Sequence, residues 1–276
     1  MSKLRGLGEK AFNKLVPKSI RPHIIHKARW TFTEIERRVL HGGRDLPIAV
    51  NIETNSICTK TCYYCSRPSD KDEILDKDIV YSIIDQLKDW GFKGRISHHS
   101  YNEPLTDNRI YDFIKYTKRH LLFSEIVLYT NGDLLNAETT DKLVKSGVVE
   151  IKVTLHEPTS RKLETRIIAL KEQYHLITII DRRVEHRSDP LFNRGGSIVL
   201  KDIKKFKGCY YIEIMVIRSN GNVILCCQDA KGDYIFGNVK EKSLESIWNN
   251  PKFVKLRKDI RTGKYELPIC QMCGYE

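Results

Sequence analysis

From residue 46 onward, short apolar runs and amphipathic stretches take turns along the chain. Residues 48–52, 94–97, 125–129, 149–154 and 176–180 have strand length and are rich in β-branched or aromatic side chains. Between them, residues 74–90, 110–119, 139–146 and 161–172 repeat apolar positions three and four apart, which lays one apolar stripe along a helix. Strands and helices in alternation predict parallel β/α units. In such α/β folds the loops at the carboxyl ends of the strands converge, and the chemistry sits there.

The two ends of the chain read differently. Leu4, Leu7, Phe12, Leu15 and Val16, then Ile24, Ile25, Ala28, Phe32, Ile35 and Val39, follow roughly helical spacing, but Pro17 and Pro22 interrupt it. Two or three short helices are expected there, ending at Gly42-Gly43. After Asn193-Arg194-Gly195-Gly196, residues 210–217 and 223–225 flank Ser219-Asn220-Gly221-Asn222, a turn sequence that predicts a β-hairpin. A helix is expected over 244–260. The expected division is a basic helical extension at 1–45, an α/β unit at 46–200 and a small α+β module at 201–276.

Composition narrows the class. With 276 residues, 41% hydrophobic and 30% charged, the chain can bury one sizeable core plus a small module. No window approaches the ~18 apolar residues of a membrane span, and the start lacks a secretory signal pattern, so the expected compartment is the cytoplasm. The net charge is +12, and residues 1–45 hold eleven basic and four acidic groups, or +7. That segment could cover the bottom of the α/β unit, lie on an anionic membrane or dock a partner. Packing on the unit is the default, and nucleic-acid binding ranks last.

Eight cysteines fall in two groups, with none between residues 66 and 208. Cys58, Cys62 and Cys65 share one loop directly after the first expected strand. Three soft ligands there suit a four-iron four-sulfur cluster with one iron left open to a small molecule. A structural zinc site would close with four ligands, and the loop holds no His. Cys209, Cys226, Cys270 and Cys273, with Cys227 as an alternative to Cys226, could close a second, four-thiolate site. Spacing alone does not choose between zinc and iron–sulfur there.

The first loop, at the end of the first strand of a β/α chain, resembles the radical S-adenosylmethionine (SAM) superfamily. The resemblance implies a partial (β/α) barrel in which Cys58, Cys62 and Cys65 hold a [4Fe–4S] cluster and SAM chelates the open iron. Its reductive cleavage then yields a deoxyadenosyl radical that takes hydrogen from substrate. It also implies that Tyr64 faces the adenine and that Asn102-Glu103-Pro104 stands where the family has Gly-Glu-Pro, with Glu103 receiving the methionine ammonium. Asn102 departs from that motif; Asn tolerates left-handed backbone geometry, which would preserve the turn. Thr130, Asn131 and Thr154 resemble positions lining the methionine and ribose.

The terminal quarter resembles the Twitch module, a shortened SPASM domain with one auxiliary [4Fe–4S] cluster. The matching features are Cys209, Gly221 to Cys226, a turn at Gly237-Asn238-Val239, Ser243-Leu244 with Ile247-Trp248, and Cys270-Gln271-Met272-Cys273. Within the superfamily the order of features resembles members that oxidise a secondary alcohol of an aminocyclitol. That implies Arg194 as the residue contacting the sugar-like alcohol, the auxiliary cluster as electron acceptor, and an external one-electron donor such as flavodoxin or ferredoxin. Cys227, where an aromatic is expected, and His98-His99-Ser100 depart from that pattern. His98, His99 and His156 could act as acid–base groups, although packed histidines are commoner. Two alternatives are a radical SAM enzyme modifying a ribosomally made peptide and a zinc-bound nucleic-acid-binding scaffold.

Overall fold

The structure, a computed structural model, describes residues 41–65, 72–183, 193–199 and 209–274, together with Ile35 and Val39. The helices expected within residues 1–40, and the surface or packing role given to them, lie outside the described residues.

Four β/α units and a fifth strand come first. Strands β1 (Ala49–Ile52), β2 (Arg95–Ser97), β3 (Glu125–Thr130), β4 (Glu150–Leu155) and β5 (Ile177–Asp181) are separated by helices α1 (Lys77–Asp89), α2 (Ile110–His120), α3 (Ala137–Ser146) and α4 (Arg161–Gln173). Then follow β6 (Ile214–Ile217), β7 (Asn222–Ile224), β8 (Ile235–Asn238), α5 (Leu244–Trp248), α6 (Pro251–Arg261) and α7 (Pro268–Met272). All eight strands form one sheet in the order β5-β4-β3-β2-β1-β6-β7-β8. Strand β6 pairs in parallel with β1, and only β7 and β8 run antiparallel. The sheet thus continues from the β/α units into the terminal module.

Local chemistry sets the element ends. Helix α1 begins at Lys77 rather than at 74 because Ile74 bridges Asn55 and the Leu75 N–H is given to the Thr54 carbonyl, 2.9 Å away. Asp76 then caps the helix through Asp78 N–H. Asn136 and Thr139 form a reciprocal capping box that starts α3 at Ala137.

Three expectations for the terminal module are corrected. The helix over 244–260 is two, because Pro251 cannot donate to the preceding turn and Asn250 instead caps α6. Residues 210–213 form a 3-10 turn, not strand, so the hairpin starts at Ile214. Gly237 and Asn238 lie in β8 rather than in a turn.

Two apolar clusters hold the layers together. One packs Val50, Ile83, Ile84, Leu87 and Ile96 with Trp248, Phe253 and Ile260, joining α1 to α5 and α6. The other fills the space between β3–β5 and α2–α4 with Ile114, Leu128, Ile151 and Ile167. Asp45 ties the start of the barrel to its end: its carboxylate accepts from Arg257 (3.1 Å) and Arg261 (2.7 Å), and its carbonyl from Trp248 Nε1 (2.7 Å). The Arg257 guanidinium lies 3.9 Å from the Trp248 ring centroid.

Candidate active site

The carboxyl ends of β1 to β5 and the hairpin surround a chamber of about 580 Å³, within the size range of small-molecule sites. Cys58, Cys62, Cys65, Tyr64, Asn102, Glu103, Thr130, Asn131, Thr154 and Arg194 all line it.

The cysteine loop follows β1 and folds back on itself, the Cys65 N–H bonding to the Cys62 carbonyl at 2.9 Å. The Asn131 carboxamide holds the loop through Thr59 Oγ1 (2.9 Å) and Cys58 Sγ (3.8 Å). Burial pushes the Cys62 thiol up to about 11, and the neighbouring Cys65 and Cys58 thiols add to the shift. A buried thiol that resists ionisation beside two further thiols is a site in need of cations, and a cluster's irons supply them. The three residues therefore fit an iron–sulfur cluster.

Glu103 is buried, and bonds fix both of its oxygens. Thr130 Oγ1 (2.7 Å) and Leu105 N–H (3.2 Å) donate to Oε1, and Asn131 N–H (2.7 Å) donates to Oε2. Burial nevertheless lifts the carboxyl to about 7, against the pull of those bonds. A cationic group in the chamber is what would return it to the ionised form. Asn102 supports the loop by its side chain: Oδ1 accepts from Ser100 N–H (3.0 Å) and Nδ2 donates to Asn55 (3.3 Å). The expectation of a left-handed backbone at Asn102 is corrected, since Arg194 is the non-glycine residue with positive φ among the described residues.

Tyr64 is buried against His156, its phenol bonded to His156 Nδ1. Thr154, at the end of β4, is half-buried. Arg194 enters from the 3-10 turn at Arg194–Gly196, with φ of 51°, and donates to the carbonyls of Tyr64 (Nε, 3.3 Å) and Cys227 (Nη1, 3.3 Å). The three candidate histidines part company. His98 is turned to α2, stacked on Phe113 and bonded to Thr117 at 3.1 Å. His99, stacked on Tyr129, and His156 face the chamber.

A second cavity of about 270 Å³ lies behind the hairpin, lined by Cys209, Cys226, Cys270 and Cys273 among apolar neighbours such as Leu225 and Ile269. Burial raises all four thiols, Cys270 to about 11 and Cys273 to about 12. Four thiols kept from ionising in one apolar cavity fit a metal cluster by the same argument. Adjacent cysteines divide between the cavities: Cys226 lines the second and Cys227 the chamber.

Several contacts at the site have no sequence signal of their own. Asn193 clasps the terminal cysteine segment, its Nδ2 donating to the Met272 carbonyl (2.5 Å) and its Oδ1 accepting from Gly274 N–H (3.2 Å). Buried Glu53, just past β1, accepts from Arg218 (2.7 Å), Ser219 N–H (3.1 Å) and Tyr101 N–H (3.0 Å). Tyr101 Oη in turn donates to the Cys227 carbonyl at 2.5 Å. Tyr101, before the Glu-Pro pair, and Asn193, in the Asn-Arg-Gly-Gly run, belong to the sequence resemblance, but their partners and those of Glu53 are remote in the chain.

Comparison with known proteins fits both cavities. The radical SAM superfamily matches residues 52–180, and the SPASM iron–sulfur cluster-binding domain matches residues 209–274. The chain thus carries a radical SAM domain and an auxiliary-cluster domain, which together indicate an enzyme that binds SAM and two [4Fe–4S] clusters. It is 28% identical over 236 residues to the S-adenosyl-L-methionine-dependent 2-deoxy-scyllo-inosamine dehydrogenase of Niallia circulans, covering 82% of this chain and 92% of that protein. Among solved structures it resembles BtrN in complex with AdoMet and 2-DOIA, at 28% identity and TM-score 0.74, over 83% of this chain and 93% of that one. BtrN in an open conformation gives TM-score 0.62 at 26% identity, over 79% and 87%. AdoMet-bound anSMEcpe, at 14% identity and TM-score 0.55 over 81% and 93%, shares the fold. No helix among the described residues is long and apolar enough to cross a membrane.

Proposed function

We propose that this enzyme oxidises a secondary alcohol of a carbohydrate-like or aminocyclitol molecule held in the chamber between its two cysteine sites. The observation that carries the reading is that one chamber, with Arg194 in its wall, reaches from the Cys58–Cys65 loop to Cys227, whose neighbour Cys226 lines the second cavity. An alcohol there lies between a hydrogen-abstracting site and an electron acceptor. The 28% identity to an aminocyclitol dehydrogenase over most of both chains supports the same reaction type.

The residue roles follow. Cys58, Cys62 and Cys65 hold the SAM-binding cluster, and Cys209, Cys226, Cys270 and Cys273 the auxiliary one. Glu103 takes the methionine ammonium, held in place by Thr130 and Asn131, and Asn102 keeps that loop in shape. Tyr64 and Thr154 line the adenosine. Arg194 bonds to substrate oxygens, its guanidinium offering donors to vicinal hydroxyls. When bound, the clusters and SAM supply hydrogen-atom abstraction and one-electron acceptance. Residues 46–200 form the radical unit and 201–276 the auxiliary module, while 1–45 serve packing or peripheral contact. An external flavodoxin- or ferredoxin-like protein delivers the electron, and the eight free thiols suit the reducing cytoplasm.

The test is anaerobic reconstitution followed by reduction with SAM and 2-deoxy-scyllo-inosamine or a panel of related polyols. Matched formation of 5′-deoxyadenosine and a ketone is expected. Iron should be about eight atoms per chain, falling to about four in the Cys58→Ala, Cys62→Ala, Cys65→Ala variant. About four irons falling to none, with one zinc retained, would remove the internal electron acceptor and overturn the dehydrogenase reading.

A further inference from the structure

The relative's substrate is named as an amine, yet the chamber of this chain is lined with cations. Among the described residues Lys60, Arg95, Arg182 and Arg194 reach its wall, against one carboxylate, Glu103. Lys60 is matched by Asp133 at 3.1 Å, and Arg95 Nη1 lies 3.4 Å from the Tyr129 hydroxyl. Arg194 donates to two carbonyls, and among the described residues neither it nor Arg182 meets a carboxylate.

Two imidazoles register this field. His99 and His156 are pushed down to about 4, by burial first, then by Arg194 at His99 and by Arg182 and Lys60 at His156. Both are therefore neutral and supply no further charge near pH 7. The cofactors do not cancel the surplus. SAM carries a sulfonium and an ammonium against one carboxylate, and an oxidised four-iron cluster on three thiolates carries one net negative charge, so the pair is neutral. The SAM carboxylate can satisfy one guanidinium; a second remains, with Arg95 nearby. Guanidinium forks select planar or tetrahedral oxyanions and repel an ammonium.

We propose that the substrate alcohol carries an anionic oxygen group, a phosphate or a carboxylate, which bonds to Arg194 or Arg182, and that a cationic aminocyclitol is disfavoured in this chamber. The inference rests on the reading of the chamber as an alcohol site and names its substrate class. It marks a departure from the amine-bearing substrate named for the relative.

The test uses the full chain, anaerobically reconstituted and saturated with SAM, and measures binding by titration calorimetry. The probes are inorganic pyrophosphate, myo-inositol 1-phosphate, glucuronate, uncharged myo-inositol and 2-deoxy-scyllo-inosamine. At least one anion is expected to bind about tenfold or more tightly than both myo-inositol and the amine, with affinity falling as salt rises. Binding by the phosphates or by glucuronate alone identifies which oxyanion the site takes. Arg194→Gln and Arg182→Gln should between them remove that preference, and at least one should do so while binding SAM within about threefold of wild type. Amine binding as tight as that of any anion, or no anion binding at all, overturns the inference. Release of 5′-deoxyadenosine on reduction reports separately on the radical site: if it occurs while the anion preference is absent, the reading as a radical enzyme stands and only the substrate class falls.

Discussion

Glu103 gives the most direct handle on the cofactor site, because pH alone can perturb it. Burial holds its carboxyl at about 7 although three donors bond to it. If the carboxylate receives the methionine ammonium, only the ionised form binds well. SAM affinity should then rise with pH up to about 7, weakening about tenfold for each unit below. The ammonium is itself lost near the α-amino range of about 7.7–8.0, so affinity should peak between about pH 7 and 8. Linkage runs the other way for the cofactor-free chain. Its folded carboxyl keeps a proton that the unfolded one releases near 4.5, so this group's contribution to stability is present below that pH and is lost as pH rises through about 7.

Glu103→Gln removes the charge at nearly constant shape. A hydrogen bond to a charged group contributes about 1.5–3 kcal/mol, which is roughly 10- to 150-fold in Kd. The variant's SAM affinity should also lose its acid limb. Its amide NH₂ must face either the Asn131 N–H or the Thr130 and Leu105 donors, which costs a further ~1–3 kcal/mol of folding stability. Calorimetric SAM binding from pH 5.5 to 8.5, with urea denaturation as control, separates the two effects. A wild-type Kd flat across that range, or a Gln variant within threefold of wild type, refutes the assignment.

Glu53→Ala should lower unfolding free energy by about 3–5 kcal/mol in urea melts, because it strands the buried Arg218 and two backbone donors; a loss under ~1 kcal/mol would show the pair to be unimportant. Gly195→Ala places a Cβ 2.3 Å from the Ile269 side chain at φ of +63°, so Ile269 on α7 or the turn must give way. Iron analysis should then show about four atoms lost from the auxiliary site while 5′-deoxyadenosine release persists. Cys226→Ala should lose about four irons and Cys227→Ala none, since only Cys226 lines the second cavity; equal losses would refute that division.

The β/α alternation was legible because each strand is a short branched run and each helix an amphipathic stripe, and all five expected barrel strands end within one residue of the observed ends. Loop chemistry carried less information. Asn102 was expected to serve through its backbone and serves through its side chain, because residue type constrains φ only weakly while hydrogen-bond partners such as Asn55 are set by tertiary contact. The split at Asn250-Pro251 was readable in principle, since proline ends a helix before it, but the apolar spacing on either side runs on in register. The Glu53–Arg218 pair spans 165 residues, and no local pattern marks either partner. The chamber's charge is legible only in part, because Arg95, Arg182 and Arg194 come from separate segments and ordinary surface arginines look the same in a sequence.

Pairing of β6 with β1 makes the two cysteine sites neighbours, and Tyr101 then makes them mechanically dependent. Its N–H is held by Glu53 at the end of β1, its backbone leads directly into Asn102-Glu103, and its phenol bonds to the Cys227 carbonyl. The same carbonyl accepts from Arg194, while the Arg194 and Arg218 guanidiniums lie 5.8 and 4.9 Å from the Tyr101 ring centroid. A displacement of the Asn102-Glu103 loop on SAM binding would therefore act on the carbonyl that orients Arg194 and on the residue next to Cys226. These contacts share atoms rather than merely lying between the sites, so the chamber and the second cavity are joined by one hydrogen-bonded network through Tyr101 and the Cys227 carbonyl.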